Sequence, residues 1–258
     1  MLNVDIAMIN ETGGRDENQD ACGWWQSDDK LCCVVADGAG GHGGGRHAAQ
    51  FAVKHLLQSF MDRPSQDSQQ LASLVRQTNG ELRKARVEGT PLVDMYSTIA
   101  CLVIDLLEHR AYWVHAGDTR IYWFRHGRLS SRTRDHSVVQ AMADQGLLEA
   151  ADLRGHPRRS ELLCALGSEP DDLQVGEGEA ADLQAGQDAF LLCTDGVWEL
   201  ANDAALESAL AAGDGAGEWV ATVEDMVRKA ADGSPRHDNF SALAARLMDH
   251  DEPADRPQ

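Results

Sequence analysis

Leu-Cys-Cys-Val-Val-Ala-Asp-Gly, residues 31–38, is a run of six apolar residues stopped by an aspartate and a glycine. A short apolar run bounded by a turn pair reads as a buried strand rather than a helix, which needs ten or more residues. Runs of the same kind recur along the chain: VDIAMI (4–9), ACGWW (21–25), STIACLVID (97–105), AYWVHAGD (111–118), RIYWFRHG (120–127), AFLLCTDG (189–196) and FSALAARL (240–247). Between 37 and 97 lie two helical periodicities, Ala49, Val53, Leu56 and Phe60, then Leu71, Leu74, Val75, Thr78 and Leu82, with DRPSQDSQQ (62–70) as punctuation. A third, Trp219, Val220, Val223, Met226 and Val227, precedes the last run. Strands in runs and helices in pairs, without strict βαβ alternation, predict an α+β layered fold. Residues 149–187, rich in Gly, Asp and Glu and containing HPRR (156–159), are expected to form a long loop with little core of its own. One domain over 1–248 is expected, with 249–258 a disordered acidic tail.

Composition narrows the function. The 258 residues carry 42 Asp and Glu against 23 Lys and Arg, a net charge of −19, and 27 of the acids are Asp. Such a charge repels phosphate backbones and anionic lipids and favours divalent cations, so neither nucleic acid nor a membrane is an expected partner. The six cysteines show no metal-binding spacing and sit mostly in apolar runs, where free thiols act as small core residues. MLNVDIAMINETGG (1–14) has no basic start and no long apolar stretch. A soluble, cytoplasmic monomer is the expectation.

The aspartates fall where strands end. Asp37 and Asp195 each close an apolar run and precede a glycine, Asp118 follows YWVHAG, and Asp20 and Asp238 directly precede strands. Any one Asp-Gly is an ordinary turn pair. Five carboxylates at the ends of strands can converge on one edge of the molecule, and a cluster of that kind is stable chiefly around hard, oxygen-seeking cations such as Mg²⁺ or Mn²⁺. The carbonyl of Gly38 can face such a cation as well. The glycine-rich run DGAGGHGGGR (37–46) lacks the features of a nucleotide-binding loop and reads as a flexible turn entering a helix, with His42 and His47 as candidate acid/base or ligand residues beside it.

The ordered set RDENQD (15–20), VADGAGGHGGG (35–45), STI (97–99), AGDTRIY (116–122), RDHS (134–137), HPRR (156–159), ALG (165–167), TDGVWE (194–199) and HDN (237–239) resembles the bacterial branch of the metal-dependent type 2C (PPM family) serine/threonine protein phosphatases, from about the first strand to the last. The resemblance implies a four-layer α-β-β-α sandwich of two antiparallel sheets flanked by helices. It also implies hydrolysis of phosphoserine and phosphothreonine in proteins by a metal-activated water at a binuclear Mn²⁺/Mg²⁺ centre, with a third ion in some members. Carried over residue by residue, Asp37 would bridge the two metals, Asp195 and Asp238 would complete one site, and the Gly38 carbonyl would serve the other. Asp20 would hold metal-bound waters, Asp118 would join Asp195 at the third site, and Arg15 would grip the substrate phosphate. The segment 135–166 would be the flap beside the active site, and the substrates would be phosphoproteins, products of a cognate bacterial Ser/Thr kinase. Two positions depart from the pattern: Gln19 replaces a carboxylate of the outer shell, and Ala39 stands where eukaryotic relatives place a histidine proposed as the general acid. They leave open a catalytically weak, phosphoprotein-binding module of the same fold, and a phosphatase of small phosphate esters is a further alternative.

Overall fold

A computed structural model describes residues 1–39, 43–232, 234 and 237–249. Among these, eleven strands and six α-helices follow in order: β1 (Asn3–Glu11), β2 (Asp20–Gln26), β3 (Lys30–Ala39), α1 (Gly44–Asp62), α2 (Ser68–Lys84), β4 (Tyr96–Ser97), β5 (Ile99–Asp105), β6 (Arg110–Ala116), β7 (Arg120–Arg125), β8 (Arg128–Arg132), α3 (Val138–Asp144), β9 (Gly176–Ala180), β10 (Asp188–Cys193), α4 (Asp195–Trp198), α5 (Asp203–Ala212), α6 (Ala216–Ala230) and β11 (Phe240–Met248). One sheet has the order β1-β11-β10-β7-β8 and the other β2-β3-β5-β6-β9, with β4 added beside β3. All the pairings are antiparallel.

The period-two alternation of side chains makes three cores from two sheets. In β3, Cys32, Val34 and Ala36 face α1 and α2, where Ala49, Val53, Leu56, Phe60, Leu71 and Val75 meet them. Leu31, Cys33 and Val35 face the other sheet, against Phe190, Leu192, Leu243 and Leu247. On the outer face of that second sheet, Leu191, Phe240 and Ala242 pack under α5 and α6 with Trp219, Val223 and Val227. Strands buried on both faces read as continuous apolar runs, which is why residues 31–36 show no alternation. The resulting layers, helix, sheet, sheet, helix, are those of the four-layer sandwich.

The periodic helices at 49–60, 71–82 and 219–227 form as α1, α2 and α6. Asp67 caps α2 by accepting from the Gln70 amide at 2.8 Å. All six cysteines are free, five of them buried. No described helix is long and apolar enough to cross a membrane.

Two readings need correction, and three elements had no reading. The expected loop over 149–187 contains β9, which pairs with β6. Its sequence, Gly-Glu-Gly-Glu-Ala, carries no apolar alternation because its glycines make room for β6. A Cβ on Gly176 would lie 2.2 Å from His115 Cε1 and one on Gly178 2.4 Å from Trp113 Nε1. The run 97–105 is not one strand: it breaks at Thr98, between β4 and β5. The polar strand β8 and the helices α3 and α5 carry too weak a periodicity to be read from the sequence. His42 and residues 250–258 of the tail lie outside the described residues.

The excursion 135–166 leaves and returns through two isolated bridges, Ser137 with Leu162 and Ser97 with Leu166. Its helix α3 buries one residue, Val139. The root is firmer: Arg120 holds Asp135 with two hydrogen bonds, 2.8 and 2.7 Å, both side chains nearly fully buried. Removing one member of such a pair leaves the other charge buried alone, at a cost of about 3–5 kcal/mol.

Candidate metal centre

Asp20, the first residue of β2, lies directly opposite Asp37 near the end of β3 in the antiparallel register. Neighbouring strands bring the two backbones within about 5 Å. Thr98, at the break between β4 and β5, explains why Asp37 stays there. The Asp37 amide donates to Thr98 Oγ1 at 2.9 Å, and the Asp37 carbonyl accepts from the Thr98 amide at 2.8 Å and from Ser97 Oγ at 3.0 Å. Gly38 follows, its amide donating to the Gln19 carbonyl at 3.1 Å. Only glycine fits: a Cβ would stand 2.2 Å from the Gly45 carbonyl oxygen, where the first turn of α1 presses on β3.

The second sheet supplies Asp195 and Asp238, and Asp118 lies on the β6–β7 connection between the sheets. Thr194, after β10, donates from Oγ1 to Asp20 Oδ2 at 2.8 Å and accepts from the Ser241 amide of β11 at 3.0 Å, so one hydroxyl fastens the two sheets at the site. Asp195 comes next and opens α4, where Gly196 passes so close to β11 that a Cβ would meet the Asn239 carbonyl oxygen at 2.0 Å. Asp238 leads into β11. Its neighbour Asn239 donates to the carbonyls of Thr12 (2.7 Å) and Glu17 (2.9 Å) and accepts from the Gln19 amide (2.8 Å), tying the 12–19 loop to Asp238. Arg15 on that loop meets Asp238 Oδ2 through Nη2 at 2.7 Å. Asp118, buried after β6, has its carbonyl held by Trp198 Nε1 at 2.9 Å, and the Arg120 guanidinium lies 3.6 Å over that indole ring.

The charges of the cluster bear most on Asp37 and Asp195. Burial, and then the charges of Asp195, Asp20, Asp118 and Asp238, push the Asp37 carboxyl well above the usual carboxylate range. Burial, and then Asp118 and Asp238, do the same to Asp195. Asp118 is pushed up to about 7 by burial and the neighbouring Asp135 charge, and Asp20 to about 6 by burial against the hydrogen bond from Thr194. Asp37 and Asp195 are half-buried. Among the described residues no three of these groups close on a single ready-made ion position. They face one another as a loose cluster, in keeping with mutual repulsion.

The donor set suits a divalent cation. It is all oxygen, it is strongly anionic, and Asp20 Oδ1 is buried with no hydrogen-bond partner, an orphan that is costly unless it faces a cation or its bound water. Thr194 and Asn239 stand in the TDG and HDN stretches, but nothing in their type announces that Thr194 joins the sheets or that Asn239 ties the 12–19 loop to Asp238. His47 is exposed on the first turn of α1 with Nδ1 2.8 Å from the Gly43 carbonyl oxygen, and it is not part of the cluster.

A family model described as protein phosphatase 2C matches residues 14–234. The chain belongs to the protein phosphatase 2C family. The serine/threonine protein phosphatase PstP of Mycobacterium tuberculosis is 31% identical over 220 residues, covering 84% of this chain and 40% of PstP. The chain thus spans about two fifths of the length of that relative. The serine/threonine phosphatase stp of Listeria innocua is 27% identical over 205 residues, 76% of this chain and 78% of its own. A crystal structure of the M. tuberculosis PstP/Ppp phosphatase superposes with a TM-score of 0.81 at 27% identity over 96% of this chain and all of that one. A structure of the PstP catalytic domain in complex with two manganese ions gives 0.76 at 26% identity, over 96% and 100%. The bacterial PPM resemblance and the α+β sandwich are both borne out by these matches.

Proposed function

We propose that the chain hydrolyses phosphoserine and phosphothreonine in proteins at a centre of two Mn²⁺ or Mg²⁺ ions. Asp37 would bridge them, Asp195 and Asp238 would hold one, and the Gly38 carbonyl would face the other. Asp20 would order water around the pair, and Asp118 with Asp195 would take a third, weaker ion. The observation that carries this reading is the gathering of five aspartates at the edge where the two sheets meet, four of whose charges raise the Asp37 carboxyl, with an orphaned Asp20 carboxylate oxygen among them. The structure of the PstP catalytic domain with two manganese ions supports the ion count. When bound, such a pair supplies Lewis acidity that makes a water nucleophilic near neutral pH and offsets phosphate charge.

The chain's own residues do the positioning. Arg15 is stationed beside the cluster by Asp238 in an ion pair open to solvent, its side chain 53% exposed, and such a pair contributes only about 0–1 kcal/mol to the fold. Its guanidinium is therefore free to exchange partners and take two non-bridging phosphate oxygens in its planar fork. Ala39 has no proton to donate, so leaving-group protonation does not come from that position. The segment 135–166 serves as the flap, and phosphoproteins made by a serine/threonine kinase are the substrates.

Turnover of p-nitrophenyl phosphate should stop in excess chelator and return with Mn²⁺. A phosphothreonine peptide should be preferred over a sugar phosphate. Full activity in chelator would overturn the metal-dependent reading, and preference for the sugar phosphate would overturn the protein substrate. For Arg15→Ala, KM for a phosphopeptide should rise about tenfold or more and inhibition by free phosphate should weaken, a loss of at least about 1.4 kcal/mol in phosphate affinity. The melting temperature should move by less than about 4 °C, since only an exposed ion pair is lost. Undiminished phosphate inhibition in this variant would reduce Arg15 to a solvated loop residue.

A further inference from the structure

β3 runs on past the residues that β2 and β5 cover, and its last two, Gly38 and Ala39, are paired by β4, with Ser97 opposite Gly38 and Tyr96 opposite Ala39. Residues opposite one another in an antiparallel pair leave the same side of the sheet, and so do residues two apart on one strand. Tyr96, Ala39, Asp37 and Asp20 therefore share one face. Tyr96 is 36% exposed, although Met95 and Ser97 on either side of it are buried. Its ring is nevertheless held. The Arg86 guanidinium lies over the ring, 4.4 Å from its centroid, and Arg86 Nη2 donates to the Met95 carbonyl at 2.8 Å. Gly167, at φ +97°, passes the ring edge so closely that a Cβ there would meet Tyr96 Cδ1 at 2.9 Å and Arg86 Nη2 at 2.5 Å. Asn79 of α2 fixes that turn, accepting from the Gly167 amide at 2.6 Å and donating to the Ser168 carbonyl at 3.1 Å. An exposed ring with no role would need none of these restraints.

We infer that Tyr96 is a specificity-determining residue, a fixed aromatic platform at the end of β3 on which a substrate residue close to the phosphorylated serine or threonine packs, with apolar and aromatic side chains preferred there. This rests on the protein-phosphatase reading proposed above. A phosphoryl group held at the aspartate cluster brings its peptide over the adjoining surface, and beyond Asp37 that surface is Ala39 with Tyr96 beside it. Two residues of extended chain advance about 7 Å, the spacing from Asp37 to Ala39, so a residue one or two places from the phosphoresidue comes level with the ring. Ala39 carries only a methyl group and fills little of the space before Tyr96. A tyrosine has few torsions to order on binding, and Arg86 and Gly167 restrain the ring in advance, so little ordering opposes the contact. The net charge of −19 would by itself favour basic residues around the phosphate, whereas a preference for apolar ones is the contribution of a ring.

The test measures kcat/KM in Mn²⁺ for phosphothreonine peptides carrying Phe, Leu, Ala or Lys at each of the two positions before and the two after the phosphothreonine, with the wild-type chain, Tyr96→Ala and Tyr96→Phe. In the wild type the Phe peptide should exceed the Ala peptide at least about fivefold at one of these positions, chiefly through KM, with Leu between them. In Tyr96→Ala that ratio should fall to within about twofold of one, and in Tyr96→Phe it should persist, because the ring and not the hydroxyl makes the contact. The readout is a ratio, so a general loss of turnover in a variant cancels. If Tyr96→Ala does not fold, Tyr96→Leu, which keeps bulk against Gly167 but has no flat face, should lower the ratio about twofold or more. A wild-type ratio near one, a Lys peptide preferred over Phe, or a ratio that survives in Tyr96→Ala would overturn the inference and leave the phosphatase reading standing. Calorimetry on the same wild-type sample should show a tight Mn²⁺ phase. Its absence, or failure to hydrolyse any of the peptides, would overturn the protein-phosphatase reading itself and the platform with it.

Discussion

Asp37→Asn should abolish the tight Mn²⁺ phase and lower kcat by about a thousandfold or more, roughly 4 kcal/mol in the barrier, while raising the melting temperature measured in chelator. The two halves of this result have one cause. Asp37 carries the charge against which Asp195, Asp20, Asp118 and Asp238 all press, and its side chain is held by none of the hydrogen bonds that fix its backbone. Without cations the carboxylate is a net cost to the fold, so an uncharged isostere relieves its repulsion with the other four. Each kcal/mol relieved is worth about 2–4 °C in a chain of this size. Scanning calorimetry with and without Mn²⁺ checks both halves: the wild type should gain stability on Mn²⁺ addition and Asp37→Asn should not. A variant that lost melting temperature in chelator together with activity would make Asp37 a structural residue.

Gly38→Ala should have the largest effect of any single methyl group near the site. The added Cβ would stand 2.2 Å from the Gly45 carbonyl oxygen and 2.7 Å from that of Gln19, both backbone atoms that cannot rotate aside. Either α1 lifts from β3 or the strand shifts, and overpacking of this kind costs about 1–3 kcal/mol. The melting temperature should therefore fall by roughly 2–12 °C. The Gly38 carbonyl and Asp37 move with the strand, so Mn²⁺ affinity should fall even below the melting transition. Gly80→Ala, a glycine on α2 with open space around its missing Cβ, is the control and should cost nothing. Equal stability and Mn²⁺ affinity in Gly38→Ala and the control would show that α1 yields freely and that its contact with β3 does not set the geometry.

What could be read from the sequence was whatever is written in one segment at a time. Asp37 and Asp195 announce themselves because an apolar run ends on a carboxylate and a glycine, a local pattern with a local meaning. α1, α2 and α6 announce themselves by apolar spacing. β9 does not, because its glycines answer to the rings of Trp113 and His115 on a strand some sixty residues earlier. Thr98 could not be read either: its side chain interrupts an otherwise apolar run in order to hold the Asp37 amide. Asn239 stood inside a motif carried over from relatives, yet its work, closing the carbonyls of Thr12 and Glu17, is defined by a loop at the other end of the sequence. Glu199 was equally silent, since a glutamate after a tryptophan means nothing until Arg159 is placed opposite it.

The hydroxyl of Thr194 and the carboxylate of Asp20 that it bonds are 174 residues apart, and Arg15 and Asp238 are 223 apart. At a synthesis rate of about 5–20 residues per second, the ribosome needs roughly 10–45 s to deliver β11 after the 12–19 loop has been made. Through that interval Asp20 and Asp37 exist without Asp238, and β1 waits for β11, its one neighbour in the sheet among the described residues. A chain stopped before β11 thus holds the Asp20–Asp37 pairing within one sheet but lacks Asp238 and the Ser241 amide that fixes Thr194. The centre is complete only when the last strand is in place, so a product truncated before β11 should not bind metal as the whole chain does.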